Sequence, residues 1–226
     1  MDFVPIDHTL PTPTDLCVKI AAVHRHSISP KEGAFGFPIL SYHGPFSQLV
    51  EWDSDWSRFF ARMLSHLFDT VTKLHGPWDD HCQADFRRLI DHTVPHLLGP
   101  LQSNGRTLKP CLVHGNLSAS TMGVNLETGE PILFSPSPFY AHNEYDLGGW
   151  RRKTGSLSWP YFREYRKYFP PSEPSEEWDD RLQLYSVKFN LMDLLITPEA
   201  VDIRRQIDDD IRSLNSKYLP PSAGIL

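Results

Sequence analysis

The segment CLVHGNLSASTMGVNLETGEPILFSPSPFYAHNEYDL, residues 111 to 147, concentrates the chain's candidate chemistry. It carries His114, Tyr140, His142, Tyr145 and Asp146, side chains suited to lining a pocket. Four of them, His114, Tyr140, His142 and Asp146, are of types that pass protons to and from small organic substrates. Metal chemistry has weaker support. The 11 histidines form no HxH or HExxH grouping, so no zinc site is expected. Cys17, Cys82 and Cys111 lie far apart with no CxxC. Their odd number argues against a disulfide framework and for a reducing compartment. The acidic run at 208–210 reads as a solvated helix face.

Elements on both sides must position these groups. Residues 1–13 hold three prolines and no periodicity, which predicts a strap. Helical spacing begins at DLCVKIAAVHRHS, with Thr14 or Asp15 as N-cap and Leu16, Ile20 and Val23 on one face. His24 and His26 lie on or beside that helix and read as packing residues. The segment ISPKEGAFGFPILSYHGPF, rich in Gly and Pro, predicts a loop. A long helix follows. Trp56, Phe59, Phe60, Met63, Leu67, Val71 and Leu74 form its apolar stripe, and His75-Gly76-Pro77 stops it. The aromatic part of that stripe is core. ADFRRLIDHTVPHLL predicts a further helix, bent or ended near Pro95. CLVHG is then a short apolar run, and TMGVNL and PILFS predict a hairpin around the Gly-containing turn ETGE. The remainder is helical: near EYDLGGW, near WPYFREYRKYF, along EEWDDRLQLYSVKFNLMDLLI, and from Thr197 as N-cap with Pro198 in the first turn. The fold class is mainly α (α+β), with one small hairpin inserted mid-chain.

A chain of 226 residues, 40% hydrophobic and 22% charged, is ordinary for a globular protein. At this size roughly 70% of the surface is buried on folding. A net charge of -6 repels polyanions, so no nucleic-acid partner is expected. No apolar run approaches the roughly 20 residues of a membrane span, and the N-terminus has no signal-peptide pattern. The expected location is cytoplasmic, with no membrane partner.

HGNLSASTMG at 114–123, LFSPS at 133–137 and FYAHNEYDL at 139–147 together resemble the fructosamine/ketosamine-3-kinases (protein-ribulosamine kinases), relatives of the aminoglycoside phosphotransferases. That family shows HGDLWSGN, a hairpin, FDPA and FYGHxEYDLA in the same order. Upstream, VHRHSISPKEGAFGF, YHGP and WDSDWSRFF match further family segments, as does RLQLY downstream. Each piece alone is weak; the ordered set, over residues 16–219, is specific.

The resemblance implies a kinase-like C-terminal lobe, and it also implies losses. The family Asp that accepts the proton of the attacking hydroxyl aligns with Asn116. The family Asn that ligates magnesium aligns with Thr121. The Asp of FDPA, the principal magnesium ligand, aligns with Ser135. Asp146 is kept, and there the family residue braces the catalytic loop, as the family His at 114 does. Only about 15 residues precede the first helix, whereas five strands of roughly 5–6 residues need twice that. No Gly-rich loop precedes that helix, and the nearest lysine, Lys19, lies inside it. The N-terminal ATP lobe is therefore expected to be missing. The expected organisation is a strap at 1–13, a C-lobe at 14–219 and a tail at 220–226. Val113, Met122 and Leu133 would then risk exposure.

Three functions fit these residues. The first is a catalytically inactive family member that binds a small molecule or a protein, with no cofactor. The second is a non-kinase isomerase, lyase or cyclase reusing the cleft. The third is a truncated ketosamine-3-kinase homologue. A second copy of the chain or a protein partner would cover the bared lobe face.

Overall fold

The computed structural model describes residues 4–152, 157–197 and 199–218. Its helices assemble around one that is buried on all sides, α7 (Trp178–Ile196). Leu182, Leu184, Tyr185, Val187, Phe189 and Leu191 point to different faces of α7, and each is at most 2% exposed. Such a helix has no one-sided apolar stripe, because partners surround it. One of its partners is α2 (Trp56–His75), capped by the Asp55 carboxylate accepting from the Arg58 amide. The α2 stripe is buried as its spacing predicts, except Leu74, which is exposed. The Trp56 indole N–H donates to Tyr185 Oη at 2.8 Å, fastening α2 to α7.

α1 (Pro13–His26) starts one residue before the expected cap positions. Thr12 is the N-cap, and its hydroxyl accepts from the Asp15 amide at 3.2 Å. Pro13 then occupies the first turn, where its missing N–H costs nothing. On this helix Val23 is exposed and His24 buried, so the inner face is rotated from the expected one.

α3 (Asp80–Arg88) and α4 (Val94–Leu98) are joined by a π-turn at Leu89–Thr93. There the Val94 amide bonds to the Leu89 carbonyl, and the widened turn admits Pro95. The final helix, α8 (Val201–Tyr218), begins later than expected. Thr197 closes α7 instead, its amide bonded to the Asp193 carbonyl at 2.8 Å. Pro198 and the expected tail at 220–226 lie outside the described residues.

The β structure is more extensive than one hairpin. The expected loop contains two strands, β2 (Ser41–His43) and β3 (Phe46–Gln48), paired antiparallel. β4 (Cys111–Val113) pairs with β7 (Phe139–Ala141), bringing the two ends of the motif segment side by side. The predicted hairpin is β5 (Met122–Asn125) with β6 (Pro131–Leu133). The strap is structured too, as β1 (Ile6–Asp7) adds a third, antiparallel strand beside β5. Gly123 permits that approach: a Cβ there would sit 2.5 Å from both the Asp7 carbonyl oxygen and Ile6 Cγ2. The Pro11 carbonyl accepts from Tyr161 Oη at 2.8 Å, anchoring the strap at its other end. Val113 and Met122 are buried within the chain itself, and Leu133 is half-buried.

Gly123→Val should lift the strap. Overpacking of this kind costs about 1–3 kcal/mol. Urea unfolding should report that loss, and a protease should cut the first twelve residues sooner than in the parent. Unchanged stability and cleavage would show that the strap does not depend on this contact.

Candidate functional site

The loop between β4 and β5 is built on Asp146, in the short helix α5 (Tyr145–Gly148). The carboxylate is fully buried and accepts from the His114 amide at 2.8 Å and the Gly115 amide at 2.7 Å. His24 Nε2 lies 3.1 Å from it, and His24 Nδ1 meets Tyr165 Oη at 2.7 Å. Burial alone would raise the Asp146 pKa. The His24 hydrogen bond, the positive fields of His24 and His114 and the Gly115 amide outweigh burial and hold it below the ordinary 3.8. Gly115 has φ +73°, and any side chain there would collide with the Ser137 carbonyl. The loop thus turns sharply over Asp146 and presents residue 116 outward.

The three motif positions are tied into the loop itself. Thr121 Oγ1 donates to the Asn116 carbonyl at 2.6 Å and accepts from the Ser118 amide at 3.1 Å. Asn116 Nδ2 donates to the Ser135 carbonyl at 3.2 Å. Ser135 is exposed and left-handed, with φ +52°, a conformation that costs a non-glycine residue energy. Magnesium wants charged oxygens. An amide, a hydroxyl committed to main chain and one exposed hydroxyl do not fit that ion. Among the described residues, no group of three or more His, Cys, Asp or Glu side chains is placed to hold a metal.

The remaining candidates are dispersed. His142 is fully buried, between Tyr185 Oη and Ser172 Oγ at 2.9 Å each. Burial pushes its pKa down to about 4, against the opposing pull of Glu144. Tyr145 is fully buried among the rings of Phe60, Phe139, Tyr185 and Phe189. Tyr140 is half-buried and stacks on Trp52. His114 accepts from the Asn116 amide at 3.3 Å, and burial lowers its pKa. None of these five side chains lines the cleft beside Asn116. His114 and Asp146 instead back a separate apolar groove of about 250 Å³, walled by Val23, Leu112, Leu133 and Pro136.

A cleft of about 420 Å³ opens beside Asn116. Its polar wall is Asn116, Ser118, Ser120, His43, Arg152 and Asp193, with Trp150 and Ile196 as apolar sides. Arg152 is ion-paired with Asp193. Behind His43 lies Lys188, 1% exposed, with Nζ 3.2 Å from His43 Nδ1. Sequence reasoning missed His43, Arg152, Lys188 and Asp193 as site residues. A lysine in the apolar run YSVKFNL was the one available signal.

A family model for fructosamine kinase matches residues 1–197. The chain belongs to the fructosamine kinase family. It is 26% identical over 220 residues to the chloroplastic protein-ribulosamine 3-kinase of Arabidopsis thaliana, covering 96% of this chain and 62% of that one. It is 28% identical over 154 residues to the ketosamine-3-kinase of Mus musculus, covering 68% of this chain and 45% of that one. The chain therefore spans about three-fifths or less of the length of these relatives. A crystal structure described as a fructosamine-3-kinase of Thermobifida fusca superposes with a TM-score of 0.72 at 20% identity, over 94% of this chain and 68% of that one. The aminoglycoside phosphotransferase APH(4)-Ia superposes at 0.54 with 15% identity, over 89% of this chain and 65% of that one. The fold of this family member is kinase-like, mostly helical with small sheets. No helix among the described residues is long and apolar enough to cross a membrane.

Asp146→Ala should lower stability, because it leaves the buried Gly115 amide unpaired, at about 1–3 kcal/mol, and the half-buried His114 amide with it. The folded pKa lies below the unfolded one, so the carboxylate's contribution is complete above the ordinary carboxylate range. It is lost as pH falls below 3.8 toward the folded pKa. The stability gap between parent and variant, measured by urea unfolding, should narrow in that acid window. A variant as stable as the parent would remove Asp146 from its bracing role.

Proposed function

We propose that this fructosamine-kinase-family chain has lost phosphoryl transfer and uses the cleft beside Asn116 to bind a small polar ligand. The observation that carries this reading is the commitment of Thr121 Oγ1 to the Asn116 carbonyl, at the position where the family resemblance implies a magnesium ligand. Asn116 supports it, since a carboxamide is neither charged nor basic. Loss of general-base help alone is worth about 10²–10⁴ in rate. Ser135 gives the third support. These three positions lie inside the chain, so the reading does not depend on any residue before or after it. The truncated-homologue reading concerns only those outside residues, and the partial coverage of the relatives is compatible with it.

Phosphoryl transfer is mostly positioning and charge neutralisation, and the charged half of that apparatus is absent from this loop. What remains is shape and hydrogen bonding. The amide of Asn116, the hydroxyls of Ser118 and Ser120 and the paired Arg152 and Asp193 suit a polyhydroxylated ligand. The relatives are named ribulosamine and ketosamine kinases, so a ketoamine is the ligand class to try first. The expected cytoplasmic location belongs to this proposal.

A ligand at 100 times its dissociation constant stabilises by about 2.7 kcal/mol. Millimolar Mg-ATP should therefore leave the melting temperature unchanged, while a ketoamine such as fructosylglycine should raise it. A magnesium-dependent rise with ATP would overturn the loss of phosphoryl transfer.

A further inference from the structure

Lys188 is a buried lysine that makes no ion pair with a carboxylate among the described residues. Its Nζ meets His43 Nδ1 at 3.2 Å and lies 4.7 Å from the Phe189 ring centre and 5.4 Å from that of Tyr145. No ion pair among the described residues reaches it, whereas buried Arg181 on the same helix is paired with Glu144 at 2.7 Å. An unpaired buried ammonium is costly, and such a group gives up its proton instead. Burial and the nearby Arg152 charge push Lys188 down to about 7, against the pull of Asp146 on α5 and Asp193 on its own helix. His43 on β2 is also pushed down, first by burial and then by Lys188, Arg152 and His114. It is a neutral ring in the cleft wall. With Nδ1 turned inward, Nε2 is the ring nitrogen left for the cleft, and the Asn116 side chain reaches the same ring.

These groups form a line from the buried amine, through an imidazole, to the place of the missing carboxylate. We propose that Lys188 and His43 act as a proton relay opening into the cleft, and that the cleft takes a small hydroxy-carbonyl compound whose proton next to the carbonyl is removed by His43 Nε2. In this step the substrate C–H bond breaks and its proton joins Nε2. The Nδ1 proton passes to the Lys188 amine, giving an ammonium. The C–H electron pair forms a carbon–carbon double bond, and the carbonyl π pair moves to oxygen as an enolate. Reversal returns a proton to the same carbon or to its neighbour, giving exchange or isomerisation with no oxidant or second substrate. Arg152, in the same wall, supplies positive charge for the enolate oxygen. This arrangement puts the chemistry on residues 43 and 188, not on His114, Tyr140, His142 or Asp146.

The inference rests on the reading of the cleft as a ligand site, and the test separates the two. The full chain is incubated with fructosylglycine in deuterated buffer, and loss of the C1 proton signals is followed by NMR against buffer alone. Exchange should exceed background and rise with pH through about 7, as Lys188 becomes free to accept a proton. Lys188→Met and, separately, His43→Gln should each slow exchange by about 10²-fold or more, the usual worth of a positioned base. Lys188→Met should fold, because it removes a group whose burial is unfavourable, and thermal melting checks this. Exchange undiminished in both variants would overturn the relay. So would a borohydride-trapped adduct on Lys188, which would make the amine a nucleophile. Absence of exchange, with melting still raised by fructosylglycine, would sink the relay and leave the ligand site standing. Absence of both would sink both.

Discussion

A single carboxylate organises the loop that defines this family. Asp146 accepts from the amides of His114 and Gly115 and touches His24, so it joins α5, the β4–β5 loop and α1. Burying a charge is costly unless it is hydrogen-bonded from several sides, and here it is. Neighbouring Glu144 repeats the device one layer away. It holds Arg181 of α7 at 2.7 Å and accepts from the Ser172 amide at 2.7 Å. The two acids of the NEYDL stretch thus fix the loop above and the helix below. The preservation of this framework, independent of any chemistry at residue 116, is what keeps the resemblance readable.

Legibility in the sequence follows the range of the interactions. The motif set could be read because β4, the loop, the hairpin and β7 are consecutive, and because the Asp146 brace acts over about thirty residues. The α2 stripe could be read because one face packs on α7 and the other meets water. The strands β1, β2 and β3 span two or three residues each, too short for a period of two to register. The rotated face of α1 turned on His24, a polar residue buried because it is paired at both ring nitrogens. The cleft was least legible. His43, Asn116, Arg152 and Lys188 come from four separated segments, and no local spacing announces that they converge.

The proposed losses at 116, 121 and 135 have a structural side. In a metal-binding version of this loop, acidic groups converge and repel until a cation arrives. An amide and hydroxyls remove that repulsion and bond to the loop's own carbonyls. Stability is commonly gained when a strained, charged site gives up its function. Ser135, exposed, holds a left-handed backbone at φ +52°, a conformation that costs a non-glycine residue energy.

Asn116 also bears on the balance at Lys188. A carboxylate at 116 would add a negative charge beside His43 and favour the protonated lysine behind it. Asn116 contributes no such charge. The remaining carboxylates, Asp146 and Asp193, are each committed elsewhere, one to loop amides and the other to Arg152. Lys188 is therefore left to burial, which favours the neutral amine. On the proposed reading, a base lost from the surface of the cleft favours a base behind it. Phosphoryl transfer and proton abstraction place opposite demands on this corner of the fold: the first needs negative charge to hold a metal, the second a neutral amine shielded from water.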